Sequence, residues 1–236
     1  MLELIFPRRC PVCDHILHPT EKWICTDCVP KIKYIREPRC MKCGKGLQNI
    51  ESIKNQDREY CRDCATKKHI FDKGLALYDY NSMKTSIFRF KYNGRCEYAD
   101  FFGRDIARHL GGEIRKWDAD AIVPIPIHYT RRNKRGYNQA ELIANRMGEE
   151  LQIPVKAKLI KRTKKTIPQK ELDAGARQNN LKKAFNIVEN DVKLKTIILI
   201  DDIYTTGSTI DAVAGEFRRM GVSKIYYIAL SIGSGL

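Results

Sequence analysis

The 236-residue sequence predicts an α/β chain: a parallel sheet flanked by helices, preceded by a small cysteine-rich domain. Three observations carry this. Eight of the nine cysteines fall in the first 64 residues, all in C-x-x-C pairs. From about residue 70 onward, short apolar runs alternate with stretches whose apolar residues recur at helical spacing. The runs are apolar throughout, as strands covered on both faces of a parallel sheet are. The boundary is placed there, giving domains 1–70 and 71–236.

The cysteine pairs are Cys10/Cys13, Cys25/Cys28, Cys40/Cys43 and Cys61/Cys64. C-x-x-C lets a tight turn aim two thiolates at one tetrahedral metal. Disulfides need an oxidising compartment, and the N-terminal sequence carries no secretion signal of the basic, apolar and small-residue kind. Four such pairs outside any βαβ pattern also argue against a redox motif. Two structural zinc ions are expected. Cys10, Cys13, Cys25 and Cys28 form the first site, and Cys40, Cys43, Cys61 and Cys64 the second. Interleaved pairing is the less favoured alternative. Four thiolates saturate each zinc and leave no position for substrate. The metal stands in for a core that a segment this short hardly builds alone. Cys96, the odd cysteine, is expected to be a reduced thiol in a helical region.

Pro7 and Pro11 keep the first knuckle out of regular helix, and the polar segment 44–60 reads as a loop within the second ribbon. In the second domain, Gly74–Tyr80 reads as a strand. Ser82–Phe90, with Ser82 as N-cap, and Asp100–Trp117 read as helices. Ala121–Ile127 is a buried strand ending in prolines, Asn138–Leu151 an amphipathic helix and Val155–Leu159 a short strand. Residues 160–183 are basic and polar. Thr196–Ile200 is a second buried strand, Ser208–Met220 a helix closed by Gly221, and Lys224–Ser231 a final strand. Ligands of such folds bind at the C-terminal ends of the strands.

At one such end stands Ile197–Thr209, IILIDDIYTTGST. Two carboxylates, Asp201 and Asp202, follow an apolar strand, and Thr205, Thr206, Gly207, Ser208 and Thr209 lead into a helix. A helix N-terminus offers N–H donors to a phosphate. Gly207 permits a close approach that a Cβ blocks, and the hydroxyls add neutral donors. Carboxylates suit a neighbouring diol. A phosphate and a diol on one ligand describe a ribose 5-phosphate.

The stretch resembles the PRPP motif of the type I phosphoribosyltransferases. The resemblance implies that Asp201 and Asp202 hold the ribose hydroxyls, as the catalytic pair, while Thr205–Thr209 hold the 5′-phosphate. It also implies Mg²⁺ accompanying PRPP. Val123–Pro126, the block Arg131-Arg132-Asn133-Lys134-Arg135-Gly136-Tyr137-Asn138-Gln139-Ala140, and the later Arg162, Thr163, Thr166, Gln169, Leu172, Arg177, Asn180 and Phe185 narrow this further. With the cysteine-rich N-terminus they are similar to the ComF (ComFC) competence protein family, over almost the whole chain. That resemblance implies a type I phosphoribosyltransferase-like sheet and a role in DNA uptake during natural transformation. Arg131, Arg132, Arg135 and Gly136 then fall where such enzymes carry a pyrophosphate loop. Segment 160–180, with Arg162, Lys164, Lys165 and Arg177, falls where they carry a hood.

Charge points the same way. Lys and Arg total 43 against 28 Asp and Glu, a net +15, which favours a polyanionic partner. Residues 1–70 carry 14 basic and 9 acidic groups, but eight thiolates and two Zn²⁺ add −4. Residues 131–183 hold 15 basic and 5 acidic groups, the whole excess of the second domain. Single-stranded DNA tracking over that face would use these cations, with Tyr129 and Tyr137 stacking on bases. A composition 43% apolar and 30% charged excludes global disorder, and no apolar run of about 20 residues reads as a spanning helix.

Three readings follow. The favoured one is a cytoplasmic competence protein that binds PRPP or a related phosphate ligand and handles single-stranded DNA, meeting the inner membrane face through partners. The second is an active phosphoribosyltransferase of nucleotide metabolism, although no acceptor site is identifiable and turnover stays open. The third is an adaptor for a DNA translocase or helicase.

Overall fold

The structure, a computed structural model, describes residues 7–47, 59–163, 184–188 and 193–233. A four-stranded sheet runs β1–β6–β5–β2, with β1 at Lys73–Asp79, β2 at Ala121–Pro124, β5 at Thr196–Tyr204 and β6 at Lys224–Ile232. Every pair in it is parallel. A separate antiparallel pair joins β3, Ile160–Arg162, to β4, Phe185–Ile187. The helices are α1 (Arg62–Thr66), α2 (Tyr80–Tyr92), α3 (Tyr98–Arg115), α4 (Tyr129–Arg135), α5 (Gln139–Leu151) and α6 (Ser208–Arg219).

Alternation along the central strand builds two cores. Ile198 and Ile200 face one, shared with Met83 and Phe90 of α2, Phe102 and Ile106 of α3 and Ile143 of α5. Ile197 and Leu199 face the other, shared with Val213 and Phe217 of α6, Phe185 of β4 and the cysteines Cys40, Cys43 and Cys61. Successive residues of a strand point to opposite faces, so an unbroken apolar run is what a doubly covered strand needs.

The sheet leaves neither edge bare. Ile35 N donates to Leu77 O (2.9 Å) and Asp79 N to Lys33 O (2.9 Å), so the link between the two cysteine modules covers β1. On the other side Ile122 N donates to Pro154 O (2.9 Å) and Lys156 N to Ile122 O (2.9 Å). Covered edges cannot recruit a foreign strand.

Several expectations need correction. Asp79, not Ser82, caps α2: its Oδ1 accepts from Asn81 N at 2.9 Å, and the helix begins two residues earlier. Val155–Leu159 forms only a single bridge, Val155 to Ile122. The strand expected over Ala121–Ile127 stops at Pro124, consistent with Pro126 having no N–H to donate. Cys96 is exposed in the turn between α2 and α3 rather than helical. The expected cationic loop after β2 contains α4. By contrast, the strand carrying the acidic pair runs on to Tyr204, so both carboxylates lie within β5. Helix α6 ends as expected, with Gly221 at φ +88°.

Candidate functional site: an acidic pair, a glycine loop and a cationic helix

Asp201 and Asp202 are the sixth and seventh residues of β5, partly buried at its C-terminal end. Asp202 N donates to Asp201 Oδ1 at 2.8 Å. Burial first, and the Asp202 charge second, push the Asp201 carboxyl up to about 7. Asp202 is held differently: Lys91, on the last turn of α2, places Nζ 2.8 Å from its Oδ1.

The loop after β5 turns at Gly207, with φ +76°. A Cβ there would sit 2.6 Å from Tyr204 Oη and 2.9 Å from His69 Cε1, so both the dihedral and the space require glycine. Gly207 is the N-cap of α6 and makes no side-chain capping bond. The first turn of a helix presents N–H groups that its own carbonyls cannot reach. Thr206 Oγ1 and Ser208 Oγ lie 2.9 Å apart. Asp201, Tyr204, Thr205, Gly207, Ser208 and Thr209 line one shallow, open-mouthed pocket. A carboxylate and a helix N-terminus therefore meet in one space.

Cations approach from two sides. His128 caps α4, and Gly136 ends it at φ +88°. Arg131, Arg132 and Lys134 are exposed, and Arg132 pairs with Glu141 at 3.3 Å. Arg135 is half-buried, its guanidinium 5.2 Å from the Tyr92 ring centroid. Burial holds Arg135 below the ordinary guanidinium range, against the opposing charge of Asp202. Arg162 of β3 lies over the Phe185 ring at 5.3 Å; burial and Arg131 lower it while Asp201 acts the other way. Opposing charges of this kind place Arg135 and Arg162 within electrostatic reach of the acidic pair.

The cysteines gather as two sets, Cys10, Cys13, Cys25, Cys28 and Cys40, Cys43, Cys61, Cys64, each with its four sulfurs within 4.8 Å of one another. Cys13 and Cys25 Sγ are 3.7 Å apart, and Cys43 and Cys61 Sγ 3.6 Å. Zn–S bonds of about 2.3 Å in a tetrahedron require S···S edges of about 3.8 Å, whereas a disulfide needs about 2.05 Å. The sulfur spacing fits zinc in the sequential pairing. No helix among the described residues is long and apolar enough to cross a membrane.

Residues 1–65 match the double zinc ribbon domain family. Competence protein F of Haemophilus influenzae is 32% identical over 232 residues, covering 93% of this chain and 95% of that protein. The chain belongs to the competence protein F (ComF) family. Competence protein ComFC of Bacillus subtilis is 30% identical over 84% of this chain and 79% of its own length. The DNA utilization protein YhgH of Escherichia coli K12 is 28% identical over 70% of this chain and 74% of its own. Among solved structures, a purine phosphoribosyltransferase from Pyrococcus horikoshii is 18% identical with a TM-score of 0.30, covering 58% of this chain and 87% of that one.

In this ComF-family chain the residues singled out by sequence do not all meet. Asp201, Thr205, Gly207, Ser208 and Thr209 line one pocket at the end of β5, whereas Asp202 is paired with Lys91 and Thr206 with Ser208 beside it. Arg131, Arg132 and Arg135 sit on a helix rather than a loop, and the charge of Asp202 acts on Arg135. Asn138 and Gln139 are buried; Asn138 Nδ2 donates to Ile125 O at 3.1 Å and pins the path out of β2. Tyr137 is no stacking platform: its hydroxyl is spent on Phe90 O and its ring packs on Phe90. Tyr129 is 65% exposed. Lys164, Lys165, Thr166, Gln169, Leu172, Arg177 and Asn180 lie outside the described residues. Sequence reading missed Lys91, whose only local signal is a lysine in the last turn of a helix.

Proposed function

We propose that this ComF-family protein binds PRPP, or a related ribose phosphate, and handles single-stranded DNA during DNA uptake on the cytoplasmic side. The family membership supports the competence role. One observation carries the ligand: a carboxylate of the acidic pair and a glycine-centred helix N-terminus line the same cavity. Asp201 and Asp202 accept from a diol, and the first turn of α6 with the Thr206 and Ser208 hydroxyls receives the phosphate. Lys91 compensates the charge of Asp202.

Carboxylate oxygens with ligand phosphates are the donor set Mg²⁺ takes, so Asp201 and Asp202 fit a Mg²⁺ that arrives with PRPP. The bound ion would supply charge neutralisation at the diphosphate. The chain's own contribution is orientation of the ribose and cationic cover from Arg135 and Arg162. Arg131 and Lys134, both exposed on α4, suit a nucleic-acid backbone.

The test is thermal. PRPP with Mg²⁺ is expected to raise the Tm of the wild type in proportion to the logarithm of its concentration. Asp202→Ala is expected to abolish that rise. A wild type indifferent to PRPP ends the ligand reading.

A further inference from the structure

His69 lies five residues beyond Cys64, the last ligand of the second ribbon. Its side chain is 2% exposed, and its Nδ1 is 2.7 Å from Asp211 Oδ2 in the first turn of α6. Asp211 is the acceptor of this pair, so Nδ1 carries the hydrogen, a tautomer assigned from the bonding. The same carboxylate accepts from Ile70 N at 2.8 Å. Nε2 is buried and has no hydrogen-bond partner among the described residues. The imidazole stacks on Phe71, with centroids 4.8 Å apart, and its Cε1 stands beneath Gly207.

A second path reaches the same glycine. Tyr227 donates its hydroxyl to Cys43 O at 2.7 Å. Its ring stacks on Tyr204 at 4.9 Å and 5° between planes, and Tyr204 Oη is the atom nearest to where a Gly207 Cβ would lie. Two ligand segments of the second four-cysteine site, at Cys43 and beyond Cys64, therefore converge under the glycine loop. The first ribbon leads elsewhere. Its Val12 O accepts from Arg89 (3.0 Å), its Asp14 from Arg95 (2.9 Å) and Tyr98 (2.5 Å), and its Trp23 lies under Arg104 (4.3 Å). Those partners belong to α2, α3 and the turn between them.

We propose that His69 is a positioning residue for the phosphate loop. Its bond to Asp211 holds the first turn of α6 and Gly207 against the second ribbon. Zinc in the second four-cysteine site and phosphate capture at Thr205–Thr209 are thereby linked, while the first site reaches the ligand end only through α2, whose Lys91 pairs with Asp202. This rests on the phosphate reading of the loop. Linkage of this kind is reciprocal, so a phosphate ligand also tightens the second zinc.

The experiment measures PRPP affinity with Mg²⁺ and zinc per chain in the full-length protein. His69→Phe keeps the stacked ring but removes the donor, and His69→Asn restores a donor close to the place of Nδ1. His69→Phe is expected to hold two zinc ions and bind PRPP about tenfold or more weakly, the scale of one hydrogen bond to a charged group. His69→Asn is expected to recover most of that loss. Asp211→Ala is expected to show the same weakening and serves if the Phe variant does not fold. The double variant is expected to be no weaker than the worse single one, because both remove one bond. Cys64→Ser is expected to weaken PRPP binding more than Cys13→Ser does. Wild-type affinity in His69→Phe, or equal losses in the two cysteine variants, would overturn the proposal. Failure of the wild type to bind PRPP is visible before any variant is made; it removes the phosphate reading and this proposal with it.

Discussion

If the proposed ribose-phosphate reading holds, Asp201 carries two demands that pull against each other. A diol-binding carboxylate works best ionised, yet burial and the Asp202 charge raise its pKa from 3.8 to about 7. Between those values the folded chain binds more protons at this position than the unfolded chain. Stability attributable to Asp201 therefore falls as pH rises from about 4 to about 7 and levels off above that. Asp201→Asn removes the penalty of burying a charge. The expected result, read as Tm of the unliganded protein across pH 4 to 8, is no change at pH 4 and a gain at pH 8. The same variant is expected to bind PRPP more weakly, since an amide is a poorer partner for two hydroxyls. A residue that destabilises the fold while serving a ligand is a common sign of function. Lys91 moderates the conflict by compensating the neighbouring carboxylate.

Among the elements, α4 shows how local signals mislead. Its seven residues, YTRRNKR, contain no apolar period, so only its ends define it: a His128 side chain accepting from Thr130 N and a left-handed Gly136. The sequence suggested a cationic loop, and the helix sorts those cations instead. Arg135 turns inward onto Tyr92, Arg132 is engaged by Glu141, and Arg131 and Lys134 are exposed. Replacing Arg131 and Lys134 by alanine is thus expected to lower the slope of log affinity for single-stranded DNA against log salt by at most about 1.4, at roughly 0.7 for each phosphate no longer neutralised. An unchanged slope would assign the DNA elsewhere. The β5–loop–α6 unit was legible because its apolar run, acidic pair, glycine and hydroxyls are contiguous and each limits the others. The reach of Lys91, Arg162 and His69 to the site was not legible: each arrives only through tertiary packing, from α2, from a three-residue strand and from the tail of a ribbon. The β3–β4 pair was missed because its two halves are three residues each and stand more than twenty residues apart.

At the level of the molecule, the cysteine modules are joined to the α/β core rather than tethered beside it. Gly74 of β1 shows the closeness: a Cβ there would lie 1.9 Å from Tyr227 Cε1, and Gly74 N donates to Lys42 O at 2.7 Å. Tyr227 is fully buried and its hydroxyl is committed to Cys43 O, so it has little room to yield. Gly74→Ala is expected to cost about 1–3 kcal/mol or more, as overpacking does. Thermal unfolding should register this as a Tm lower by roughly 2–4 °C per kcal/mol. Titration with a chelator should strip the second zinc from this variant before the first, whereas loss of both in parallel would separate the ribbon from the sheet.

The position of β6 has a consequence for how the chain is made. It is the last strand among the described residues, yet it lies between β1 and β5, and it carries Tyr227 toward the second ribbon. During synthesis from the N-terminus, the first 65 residues emerge early and have thiolates ready for metal. The seat of the second ribbon is complete only once residues 224–232 have cleared the ribosome. Contacts between residues 184 apart in sequence, as Cys43 and Tyr227 are, close slowly. Over that interval, metal capture precedes the tertiary shelter of the second site, and a nascent chain halted before Lys224 would hold its second ribbon without the strand that anchors it.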